Sequence, residues 1–82
     1  MKSRLPTMDY AIVEEHLRRA KEHMAKGIEN LRRQREIIAE LERDGHDATT
    51  AKELLRTFEE VQAMHVGDVN RLTKELAGLR TK

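Results

Sequence analysis

The chain has 82 residues, 38% of them hydrophobic and 38% charged, with Tyr10 and Phe58 its only aromatics. That is one domain at most, with too little apolar surface for a compact monomeric core. Sixteen Lys and Arg against fifteen Asp and Glu leave a net charge of +1, hence no global field for nucleic acid or anionic lipid; the lack of cysteine excludes disulfides, thiolate chemistry and Cys-based zinc sites.

Residues 1–7 read as a short basic tail closed by Pro6, with Thr7 or Asp9 placed to cap a first helix over 8–44. Inside that helix the text from Glu15 to Glu42 repeats every seven residues: EHLRRAK, EHMAKGI, ENLRRQR, EIIAELE. Seven residues are almost two helical turns. Glu15, Glu22, Glu29 and Glu36 therefore form one solvated line, and Leu17, Met24, Leu31 and Ile38 form a seam that must bury against another helix.

The next break is Asp44, Gly45, His46, Asp47. Gly45 suits the left-handed conformation that ends a helix, and the Asp47 carboxylate can accept from the amides of Thr49 or Thr50, giving a turn at 45–47. A second helix over 48–80 keeps a looser rhythm through Ala51, Leu55, Phe58, Gln62, His65, Val69, Leu72, Leu76 and Leu79. Two helices of about 35 residues, each about 50 Å long, joined by so short a turn, fold back as an antiparallel hairpin.

Folding about residue 46 puts Ile38 by Leu55, Met24 by Val69 and Leu17 by Leu76. The middle is polar: Gln34 falls near Phe58, Leu31 near Gln62, and Gly27 near His65. Gly27, Gln34, Gln62 and His65 thus form a mid-bundle layer in which Gly27 leaves room for the imidazole and the two glutamines mark the register. The same layer is the place where a bundle would hold a ligand or metal ion.

Ile28 and Ile37 flank the first seam, and Leu54 and Val61 the second, so each stripe is wider than a two-helix contact covers. The expected fold is all-α, an antiparallel two-helix coiled-coil hairpin that dimerises into a four-helix bundle. Self-association is assigned to Leu17, Met24, Ile28, Leu31, Ile37, Ile38, Leu54, Leu55, Phe58, Val61, Val69, Leu72 and Leu76.

Catalytic and metal patterns fail on spacing. The residues three before His16, His23, His46 and His65 are Val13, Ala20, Arg43 and Gln62, so the Glu-x-x-His of a di-iron bundle is missing, as is a zinc-protease pair of histidines. His65 with Asp68 is a chance-level pairing at helical spacing, and no nucleophile has a supporting base. We expect no enzyme activity, no cofactor and no metal.

Arg18, Arg19, Lys26, Arg32 and Arg33 line outer positions of the first helix and are the residues that would track nucleic-acid phosphates. The glutamate line beside them favours a solvated, ion-paired face, and nucleic acid is the runner-up partner after a second copy of the chain or another protein. No apolar run approaches the roughly 18–20 residues that cross a membrane. The opening residues lack the apolar stretch of a secretory signal, and the cytoplasm is the expected setting.

The run RQREIIAELERDGHD, followed by AKELLRTFEEVQAMHVGDVNRL, is similar to text in a set of short, uncharacterised bacterial proteins, mainly alphaproteobacterial, with the pattern LERDGHD…LL..FE..Q..H. The likeness covers residues 15–76. It implies a helical hairpin whose turn is set by residues 44–47 and whose middle layer holds Phe58, Gln62 and His65, and it carries no activity with it.

Overall fold

The computed structural model describes residues 6–80, with side chains from residue 9 onward. Two helices, α1 (Pro6–Arg43) and α2 (Thr49–Arg80), lie antiparallel as a hairpin 66 Å long and about 17 Å across. Helix α1 starts two residues before the expected position, at Pro6. A proline ring fixes φ near the helical value and lacks only an amide that the first turn leaves unbonded anyway. Thr7 and Asp9 consequently sit inside the first turn and not at its cap, and residues 1–5 of the expected 1–7 tail lie outside the described residues.

The turn follows the chemistry of its letters. Gly45 has φ +76°, the left-handed region that costs other residues most. Its amide donates to the Glu42 carbonyl at 3.2 Å, and the His46 amide donates to the Leu41 carbonyl at 2.8 Å. This paired closure satisfies carbonyls that the end of α1 would otherwise orphan. Asp47 then opens α2: its Oδ1 accepts from the Thr49 amide at 2.9 Å and from the Thr49 hydroxyl at 2.7 Å. Those two bonds hold the Asp47 carboxyl below its usual range.

Burial tracks the seven-residue rhythm. Val13, Leu17, Ala20, Leu72 and Leu76 form the core cluster, with Tyr10, Val69 and Leu79 packed on it. Ile38 and Ala48 are buried near the turn. A rod two helices wide has no interior layer, and no described side chain is fully enclosed. Each buried residue therefore keeps an edge against solvent, and packing one more layer on the rod would complete it.

Candidate functional site

Along the seam, the polar layer is built by two glutamines that each cross to the other helix. Gln34, only 6% exposed, donates Nε2 to the Ala51 carbonyl at 2.9 Å. Gln62 donates Nε2 to the Met24 carbonyl at 2.9 Å. The Gln62 Oε1 lies where a Gly27 side chain would be, is buried, and has no protein hydrogen-bond donor.

This corrects the expected pairing. The space beside Gly27 is filled by the Gln62 carboxamide, which bonds the Met24 carbonyl, while His65 lines a shallow pocket together with Gly27. The His65 ring packs against His23, centroids 5.5 Å apart and tilted by 44°. Both glutamines spend their donors on helix carbonyls. The Gln62 oxygen is the buried polar atom of this layer left without a donor, and it lies against the Gly27 backbone.

The two long flanks of the hairpin differ. One is laced across the helices: Lys52 Nζ lies 2.8 Å from Glu42, Arg35 lies 3.8 Å from Glu59, and the Arg80 Nε donates to the Tyr10 hydroxyl at 2.9 Å. Glu42 and Tyr10 accordingly hold Lys52 and Arg80 above their ordinary pKa values. Ile28, 58% exposed, and Val66 sit on this flank by their heptad positions.

The other flank opens into a groove of about 610 Å³ at the end away from the turn. Helix α1 lines it with Ile12, His16, Arg19 and His23, and α2 with Asp68, Arg71 and Glu75. Stepping by sevens from these residues leads to Ile37 on α1 and to Met64, Val61 and Leu54 on α2. Ile12, Leu54, Val61 and Met64 are exposed apolar side chains, Met64 at 67%, and Ile37 is half-buried. The cross-helix pairs of Lys52 with Glu42 and Arg35 with Glu59 lie on the opposite flank from this groove.

The thirteen residues expected to drive association separate into two groups. Leu17, Ile38, Leu72 and Leu76 are buried, and Met24, Leu31, Leu55, Phe58 and Val69 are half-buried, all within the hairpin itself. Ile37, Leu54 and Val61 lie on the open flank and Ile28 on the laced one. Ile12, Met64 and Val66 were missed by the sequence reading, although Met64 stands three residues after Val61, on the same side of α2.

Four of the five residues of the basic strip face carboxylates. Arg18 bonds Glu15 at 2.6 Å and Glu22 at 2.7 Å, Arg19 bonds Glu15 at 3.0 Å, Arg32 bonds Glu29 and Glu36, and Arg33 reaches Glu36 at 3.9 Å. The Arg18 and Arg19 guanidiniums hold Glu15 down to about 2, and Arg32 lowers Glu29. Lys26 lies apart, by His23, Gly27, Asn30 and His65. These are the spacings of solvated helical ion pairs.

Among the described residues no cluster of three His, Cys, Asp or Glu side chains is arranged to hold a metal ion. No helix among them is long and apolar enough to cross a membrane. Comparison of the chain with protein-family models, with curated proteins and with solved structures finds no match.

Proposed function

We propose that this chain is a non-enzymatic self-association module that works in the cytoplasm as a homodimer, two hairpins forming a four-helix bundle whose outer faces meet further protein. The supporting observation is the apolar row Ile37, Leu54, Val61 and Met64 on a flank that the chain does not itself cover. A rod two helices wide buries a small share of its surface, and oligomerisation is one of the ways in which small domains make up the stability that a small core lacks. Covering the row with an identical row doubles the apolar contact without any further sequence.

Nucleic acid is the weaker reading, because Arg18, Arg19, Arg32 and Arg33 already face carboxylates that a phosphate would have to displace. The test is the absolute mass in solution by light scattering behind a sizing column, across concentration. A mass near twice 9.6 kDa is expected. A helical species at 9.6 kDa at every concentration would remove this function.

A further inference from the structure

We infer that the second copy docks on the groove flank with its turn at the same end, so that each α1 lies against the partner's α2. This rests on the self-association reading and adds the surface and the orientation. The choice of flank follows from the contacts. The Ile28 and Val66 side is crossed by Lys52 to Glu42 and Arg35 to Glu59, pairs that a docking helix would have to desolvate. The groove side carries the longer apolar row.

Orientation follows from how that row is distributed. Near the turn the flank is apolar, with Ile37 on α1 and Leu54 and Val61 on α2. Toward the open end it is ionic, and the two helices differ: α1 presents His16 and His23, while α2 presents Asp68 and Glu75. A two-fold axis along the rod keeps every residue at its own level. Ile37 then meets the partner's Leu54, His23 meets the partner's Asp68, and His16 meets the partner's Glu75. Apolar lies on apolar, and imidazole lies on carboxylate.

A two-fold axis across the rod makes the opposite pairing. It sets α1 on the partner's α1 and α2 on the partner's α2, each reversed. Ile37 would then lie level with the partner's His16, Leu54 with the partner's Glu75, and Val61 with the partner's Asp68. Two carboxylates per chain would be covered by aliphatic carbon, a burial offset within the chain by Arg71 at 3.5 and 3.9 Å but by no imidazole of the partner. Arg19 would also lie level with the partner's Arg33, and Lys26 with the partner's Lys26. In the same-end arrangement the one like pair, Arg19 near the partner's Arg71, is eased because Arg71 already holds Asp68 at 3.5 Å and Glu75 at 3.9 Å.

Because the chain has no cysteine, a single spin label can be placed at the turn, through Asp44→Cys and separately through Arg43→Cys, with the mass of each labelled protein measured alongside. Same-end docking gives a label-to-label distance of about 20–30 Å, set by helices packed 8–10 Å apart plus the label tethers. Opposite-end docking gives a distance approaching the 66 Å length of the rod and overturns the orientation while leaving the dimer intact. A monomeric mass for the unlabelled chain removes the self-association reading, and this orientation with it. For the flank, Val61→Arg should abolish the dimeric mass and Val66→Arg should leave it. The reverse result moves the interface to the laced side and overturns the assignment.

Discussion

The Gln62 carboxamide fills the space that a side chain at Gly27 would occupy: a Cβ on Gly27 would lie 2.6 Å from the carboxamide carbon. Glycine inside a helix costs about 1 kcal/mol relative to alanine, so its presence here is compensated by the bond from Gln62 to the Met24 carbonyl. Gly27→Ala should therefore change sign with its background. In the parent chain it displaces the carboxamide and destabilises by about 1 kcal/mol. In a Gln62→Ala chain it should stabilise by up to about 1 kcal/mol. Urea midpoints for the four proteins of this cycle decide it, and an effect of the same sign in both backgrounds would break the coupling.

Leu17 and Leu72 are 7% and 6% exposed in the same cluster. Truncating either to alanine should cost about 2–4 kcal/mol, enough to unfold much of a domain whose total stability is of the order of 5 kcal/mol. Ile28→Ala, at a side chain 58% exposed on the laced flank, should stay within about 0.5 kcal/mol. Thermal melts followed by circular dichroism separate the two classes. Equal losses at Leu17 and Ile28 would mean that Ile28 is covered in the assembled protein.

Much of this architecture can be read from the letters because each device is local. The heptads from Glu15 mark α1, and Gly45 and Asp47 close and open the helices through bonds within a few residues. The glutamates lie three or four residues from the arginines they bond. What the letters leave open is how far one helix slides along the other. An apolar row spaced three and four apart looks nearly the same after a shift of one turn, so Gly27 opposite His65 and Gly27 opposite Gln62 have the same binary pattern. The choice depends on a shape match between two specific groups, the missing Cβ of Gly27 and the carboxamide of Gln62, which no single-helix pattern encodes. The two flanks were indistinct for the same reason. Their difference lies in pairs such as Arg35 with Glu59, which form only after the register is set.

Gly45 is the one described residue in the left-handed region. Gly45→Ala should cost about 1–2 kcal/mol, the penalty of crowding Cβ against the following carbonyl. Nothing lies within 4 Å of an added Cβ at this position, so the loss is backbone strain and not a clash. Gly45→Asn should consequently lose less than Gly45→Ala, because asparagine tolerates the same conformation despite its larger side chain. An ordering by side-chain size in urea melts would contradict that assignment.

Acid should weaken the hairpin through three exposed carboxylates. Arg18 first, then Arg19, hold Glu15 at about 2 against an ordinary 4.5, Arg32 lowers Glu29, and Thr49 lowers Asp47 from 3.8. A carboxyl whose folded pKa is depressed binds fewer protons folded than unfolded. Its contribution is therefore complete above the unfolded value and is lost as pH falls through the folded one. Stability should be level in these groups from pH 6 to 8, begin to drop as pH approaches 4.5, and continue falling toward about 2. All three are solvent-facing, so the drop should shrink in 1 M salt, where screening acts within about 3 Å. Glu15→Gln removes the titrating group while keeping the shape of the side chain, and its urea midpoint should change less between pH 5 and pH 2.5 than that of the parent. If the two chains lost stability equally over that interval, the ion pairs of Glu15 with Arg18 and Arg19 would carry none of the acid sensitivity, and it would have to be assigned to other carboxylates such as the Asp47 cap.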